Sequence, residues 1–273
     1  MPEAADPLTA MSPDAVTVDE ARRFGGLARL YGLDSSERIR AAHVCVVGLG
    51  GVGSWAAEAL ARTGVARLTL IDMDHIAESN VNRQVHALSS TLGQSKIGAM
   101  RERIAQIHPR CQVDLVDDFV SPENWPALLP RQPDALIDAC DQIKAKLALV
   151  LWSQRAGVPM VSVGAAGGKR QPHLVELADL SQVTHDPLLA QLRYRLRKFH
   201  GAPREGRRMG VCCVFSREAV RGPDASCDVQ GDGSLNCHGY GSLVGVTATF
   251  GLCAASEVVN LLAQPLQARK LTL

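Results

Sequence analysis

Short, uniformly apolar runs alternate along this chain with amphipathic stretches, and the switches between them fall on glycine, serine or acidic residues. Val44, Cys45, Val46 and Val47 form the first run, the pattern of a strand covered on both faces. Gly48-Leu49-Gly50-Gly51-Val52-Gly53 then opens a helix that Gly64 ends, and a second apolar run, 68–71, stops at Asp72. Further strand-like runs lie at 112–116, 135–138 and 158–163. Helical patterns occupy 18–33, the stretch entered at Lys96, 186–200 and 240–263. Strands alternating with helices predict an α/β fold, a doubly wound, mostly parallel twisted sheet with a Rossmann-like nucleotide site. Residues 1–17 are rich in Ala, Pro and Asp and read as a disordered tail. Residues 18–273 read as one domain, with an inserted region at about 169–238 covering the substrate side.

The glycine loop sets the first chemical expectation. Gly48, Gly50 and Gly51 let backbone approach a phosphate, Gly53 lets helix and strand pack closely, and the helix N-terminus offers free N–H groups to an anion. Asp72 is placed to hold ribose hydroxyls, with Asp74 just beyond it. A dinucleotide dehydrogenase has the same loop and the same acid, so the choice of nucleotide rests on the segment downstream. There Asn80, Asn82, Arg83, Gln84 and His86 precede Lys96. Arg83 offers a planar fork of donors and Lys96 a point charge, two complementary ways of neutralising a triphosphate. A further strand ends in Asp138 and Asp141, carboxylates suited to a magnesium ion. The set reads as ATP with Mg2+.

These residues resemble the adenylating enzymes related to ubiquitin-activating enzymes and to their bacterial counterparts in molybdopterin and thiamine synthesis. The resemblance runs in order from Arg23 to Val163. It implies that Gly48, Gly50, Gly51, Gly53, Asp72, Asp74, Asn80, Arg83, Gln84, Lys96 and Asp138 bind the nucleotide, that Asp141 holds the metal, and that a carboxylate is joined to the α-phosphate of ATP. The protein-activating members carry two zinc-binding CxxC pairs; the eight cysteines here contain none, so no zinc site is expected. Phe24-Gly25-Gly26 also puts glycine where those members have an arginine donated to the neighbouring subunit, leaving Arg23 or Arg29 for that role.

Residues 23–32, 50–64 and 246–251, with Cys213 and Cys237, are similar to the branch that dehydrates threonylcarbamoyladenosine in tRNA. In that reaction the threonyl carboxylate is adenylated and the neighbouring ureido group displaces AMP. The resemblance implies tRNA as substrate, a homodimer, catalytic roles for Arg83, Lys96 and Asp141, and a cysteine-desulfurase and sulfur-acceptor system as an associate. Three alternatives stay open: adenylation of the C-terminus of a small sulfur-carrier protein, a nicotinamide-dependent oxidoreductase, and a non-catalytic scaffold that only binds a sulfur-transfer partner.

Composition changes the picture at four points. At 273 residues and 46% hydrophobic the chain can bury a large core, and its net charge of +1 excludes little. Between Arg193 and Arg221, however, nine Arg or Lys face two acids, with Tyr194, Phe199 and His200 interleaved. That segment reads either as an RNA-tracking surface or as an ordinary solvated helix and loop. Eight cysteines without a secretory signal point to a reducing cytoplasm and buried thiols; Cys237, in a glycine-rich turn beside His238, is the candidate thiolate. Residues 240–263 carry one charge, Glu257, and are long enough to suggest a membrane span; their many small and hydroxyl residues favour a helix in the core or a dimer interface.

Overall fold

Seven strands build one sheet in the order β3-β2-β1-β4-β5-β7-β6 in the computed structural model, which describes residues 19–204, 206–224, 226 and 240–265. The strands are β1 (His43–Val47), β2 (Arg67–Ile71), β3 (Gln112–Val116), β4 (Ala135–Asp138), β5 (Met160–Val163), β6 (Val175–Asp179) and β7 (Cys212–Ser216). Every neighbouring pair is parallel except β6 with β7. The helices are α1 (Glu20–Tyr31), α2 (Leu33–Ala41), α3 (Gly53–Thr63), α4 (Lys96–Ile107), α5 (Ile143–Ala156), α6 (Pro187–Phe199) and α7 (Val244–Ala263). The expected tail at 1–17 and Cys237 lie outside the described residues.

Strand alternation distributes the apolar residues to two cores. Val44, Val46, Leu68, Leu70, Ala135 and Ile137 point to a face covered by α3, α4 and α7, whereas Cys45, Val47, Ile71 and Leu136 point to a face covered by α5 and α6. The uniform apolar runs follow from burial on both sides. Helix ends follow local chemistry: Asp19 Oδ1 accepts the Arg22 N–H at 3.0 Å, Ser95 Oγ the Gly98 N–H at 3.2 Å, and Gly64 closes α3 at φ 87°.

One expectation is corrected. The single helix at 18–33 is broken at Gly32 (φ 83°), and a second helix, α2, begins at Leu33. Within the segment expected to be inserted, about 169–238, residues 175–179 and 212–216 supply β6 and β7 to the sheet edge while α6 packs on the sheet face. Helix α7 is the one helix among the described residues long and apolar enough to cross a membrane, with mean hydropathy 1.5. Its inner face, from Val246 through Phe250 to Leu262, is the centre of the larger core. It lies so close to α3 that a side chain at Gly251 would overlap the Val52 carbonyl.

One ionic cluster lies inside this apolar frame. Lys146, on α5, is fully buried; its Nζ donates to Asp138 Oδ2 at 2.9 Å and to the Val163 carbonyl at 2.6 Å, and Ser162 Oγ donates to the same Asp138 oxygen at 2.7 Å. Asp138 keeps the Lys146 ammonium pKa above its ordinary value against the desolvation that would lower it. The pair thus joins the ends of β4 and β5 to the first turns of α5. Removing the ammonium leaves a buried carboxylate without its counter-ion, so Lys146→Met is expected to lower stability by about 3–5 kcal/mol in urea denaturation, with Lys146→Met/Asp138→Leu recovering much of it.

Candidate functional site

The strand order reverses direction between β1 and β4, and a crevice opens there beyond the C-terminal ends of the strands. A cavity of about 640 Å³ fills it, walled by the glycine loop after β1, Asp72 and Asp74 after β2, residues from Ala77 to Gln84, Lys96 at the start of α4, Cys140 to Gln142 after β4, and Gly164 to Gly167 after β5.

Asp72 fastens the loop. One carboxylate oxygen accepts the Leu49 N–H at 2.6 Å and the other the Asp74 N–H at 2.8 Å, while the Gly48 N–H donates to the Ile71 carbonyl at 2.9 Å. Burial pushes the Asp72 pKa up, and Lys96 with the two N–H groups opposes it. Each carboxylate oxygen retains an acceptor position, so this residue can hold both the loop and a ligand hydroxyl. Gly48 turns at φ 85°, and a Cβ on Gly53 would overlap its carbonyl oxygen. Gly53 therefore does not line the cavity; it lets α3 begin directly behind the loop. No side chain caps that helix start; the Ser54 N–H donates to the Gly50 carbonyl at 3.1 Å, and the positive end of the helix dipole lies behind the loop.

The two cations arrive from separate segments. Lys96 Nζ lies 2.6 Å from Asp74 Oδ2 and 3.9 Å from Asp72 Oδ1. Arg83, nearly buried, donates from Nη1 to the Ser79 carbonyl at 2.6 Å and to Asn82 Oδ1 at 2.8 Å. Asn80 Oδ1 accepts the Ala77 N–H at 3.0 Å and so shapes the turn that presents Arg83. Trp55 Nε1 donates to the Arg83 carbonyl at 2.9 Å, tying this segment to α3. Gln84 lines the cavity, and its buried Oε1 has no hydrogen-bond partner among the described residues. An uncapped helix start, a guanidinium and an ammonium around one space suit a polyphosphate.

Asp141 is exposed on the β4 side of the same cavity. Asp138, expected to face the nucleotide or metal, is not among the residues lining the cavity: it is turned beneath the floor, where Lys146, Ser162 and the Cys140 thiol engage its two oxygens. Sequence reasoning missed Lys146, whose signal was a charge at an apolar-face position among Ala145, Leu149 and Val150. It also missed Trp55 and Thr247, which have no such signal because only the packing of α3 and α7 brings them to the site.

His86 follows the Arg83 segment in the chain. It is 1% exposed, and neither ring nitrogen has a hydrogen-bond partner among the described residues. Burial, with Lys96 and Arg103 nearby, lowers its pKa from 6.5 to about 4. Between those values the unfolded chain binds a proton that the folded protein excludes, so stability is full above about pH 6.5 and falls on acidification towards pH 4. A loss of up to about 3 kcal/mol across that window is expected from urea midpoints, with His86→Phe flattening the profile.

A sequence model of the ThiF family matches residues 24–272. The chain is 44% identical over 241 residues to a tRNA threonylcarbamoyladenosine dehydratase of Haemophilus influenzae, covering 88% of this chain and 92% of that one. The E. coli tRNA N6-threonylcarbamoyladenosine dehydratase in complex with ATP superposes with a TM-score of 0.81 at 43% identity, over 90% of this chain and 96% of that one. The same E. coli protein in complex with AMP gives a TM-score of 0.80 at 44% identity, over 90% and 96% of the two chains. With a doubly wound sheet and a family match that spans nearly all its length, this chain belongs to the ThiF family.

Proposed function

We propose that the chain is an ATP-dependent enzyme that dehydrates threonylcarbamoyladenosine, next to the anticodon of tRNA, to its cyclic form. The observation that carries this reading is the convergence of the uncapped α3 start, Arg83, Lys96 and Asp141 on one cavity, in a chain so similar to dehydratases of that substrate. ATP lies with its phosphates against the glycine loop and its ribose at Asp72. A threonyl carboxylate oxygen attacks the α-phosphorus, and the bond to pyrophosphate breaks. Charge grows on the phosphate oxygens in that step, and Arg83 and Lys96 stabilise it after exchanging Ser79, Asn82 and Asp74 for phosphate. The ureido group then attacks the acyl carbon and expels AMP. Both reacting groups belong to one nucleoside, so ring closure is unimolecular and requires positioning more than a strong base.

Magnesium fits the Asp141 wall. A single exposed carboxylate suits an ion that keeps several waters and takes phosphate oxygens, and among the described residues no group of three His, Cys, Asp or Glu gathers into a closed cage. When bound, the ion would neutralise charge on the phosphates. A homodimer is part of this reading, supported by the exposed apolar side chains Leu30, Leu33 and Leu252. Cys237 is retained as a candidate catalytic thiolate on its sequence alone.

Nucleoside mass spectrometry on tRNA bearing threonylcarbamoyladenosine tests the proposal. Loss of one water from that nucleoside, with AMP and pyrophosphate released and nothing in the ATP-free control, is expected. ATP bound without any change in the nucleoside would overturn it and turn attention to a carrier-protein carboxylate. Lys96→Ala is expected to cut turnover by about a hundredfold. Asp141→Asn is expected to raise the half-saturating magnesium concentration at least about tenfold while leaving thermal stability unchanged.

A further inference from the structure

We propose that the outer face of α6, with the basic loop after it, is the surface on which the RNA docks, its exposed rings stacking on unpaired bases of the anticodon loop. The inference rests on the tRNA reading above and adds where the RNA lies and what holds it.

Helix α6 begins at the cavity wall. Leu188 lines the cavity, and Asp186, which caps the helix through the Leu189 N–H at 2.9 Å, also accepts the Ala165 N–H of the glycine-rich wall at 2.8 Å. From there the helix extends about 20 Å over its thirteen residues. Its inner face is buried and fully accounts for its packing. Its outer face carries Tyr194 and Phe199, 58% and 61% exposed, in a chain with only three Tyr and five Phe. No packing need places two rings in water there. Lys198 Nζ sits over both, 5.4 Å from the Tyr194 ring centre and 5.2 Å from that of Phe199, and donates to the Tyr194 hydroxyl at 2.9 Å.

The charge has one sign. From Arg193 to Arg208 there are seven Arg or Lys and a single acid, Glu205. None of the seven pairs with a carboxylate among the described residues, whereas Arg40, Arg62, Arg67 and Arg103 on other elements each do. Arg193 and Arg197 are turned onto backbone carbonyls, which leaves Arg195 and Lys198 for an external anion beside the rings. A solvated helix explains charge; it does not explain unpaired charge of one sign interleaved with exposed rings. Single-stranded RNA is the ligand that satisfies both, phosphates meeting the cations and bases meeting the rings. An anionic lipid surface would satisfy the charge, but it has no reason to adjoin the cavity in which a nucleoside reacts.

The test uses the full-length protein with unmodified and threonylcarbamoyl-bearing tRNA, measuring tRNA affinity, ATP affinity and the split between KM and kcat. Tyr194→Leu/Phe199→Leu is expected to weaken tRNA binding and raise KM at least about tenfold, with kcat at saturating tRNA and ATP affinity unchanged. Tyr194→Phe/Phe199→Tyr, which keeps the rings, is expected to bind as the native protein does. Arg195→Ala and Lys198→Ala are each expected to reduce the slope of log affinity against log salt by about 0.7–1. Native tRNA affinity in the leucine variant would overturn the docking surface while leaving the dehydratase reading intact. So would a loss of binding to anionic phospholipid vesicles with tRNA binding retained. Failure of the native protein to bind or alter tRNA would remove both readings.

Discussion

Everything around the cavity depends on an ion pair that water never reaches. Asp138 and Lys146 are both fully buried, a position that costs several kcal/mol per ion unless each charge is answered completely. Here the answers are a 2.9 Å contact between them, a hydroxyl from Ser162, and the carbonyl of Val163. Because the three partners belong to β4, α5 and the end of β5, satisfying the pair fixes those elements relative to one another. The Ala139 to Gln142 turn, which carries Asp141 into the cavity, is held at its base by that arrangement.

The opposite wall uses the same physics in a looser form. Asp72 ties the glycine loop to the end of β2 with two backbone donors, so the loop is shaped before any ligand arrives. Lys96 and Arg83 meanwhile rest on partners that a phosphate can replace: a half-exposed carboxylate on Asp74, and neutral oxygens from Ser79 and Asn82. A cation held close to its working position by an exchangeable partner loses little freedom when the phosphate arrives. The cavity thus has a rigid floor and a wall whose cations are held by exchangeable partners.

Burial also explains where chemistry is excluded. Cys45, Cys212 and Cys213 are enclosed by apolar side chains that push their thiols well above the ordinary range, so they act as packing residues. Cys140 lines the cavity, but its thiol is committed to Asp138 and is likewise held protonated. Helix α7, which composition alone allows in a membrane, is instead the hydrophobic centre against which α3 presents its helix start.

By itself the sequence determined the strand runs, the glycine loop, the acid at the end of β2 and the two cations, because each depends on local periodicity or on residue spacing within one βαβ unit. Those signals sufficed for the fold class and for most of the residues that line the cavity, Gly53 and Asp138 excepted. Only the tertiary structure decided which face Asp138 turns to, since the choice between floor and cavity is made by Lys146, eight residues on, and by Ser162 on the neighbouring strand. It likewise decided that β6 and β7 extend the sheet, through a register between residues 175–179 and 212–216 that no local pattern encodes. Spacing along the chain specifies what a segment can become, and long-range pairing of charge and backbone decides which of those possibilities meets its partner.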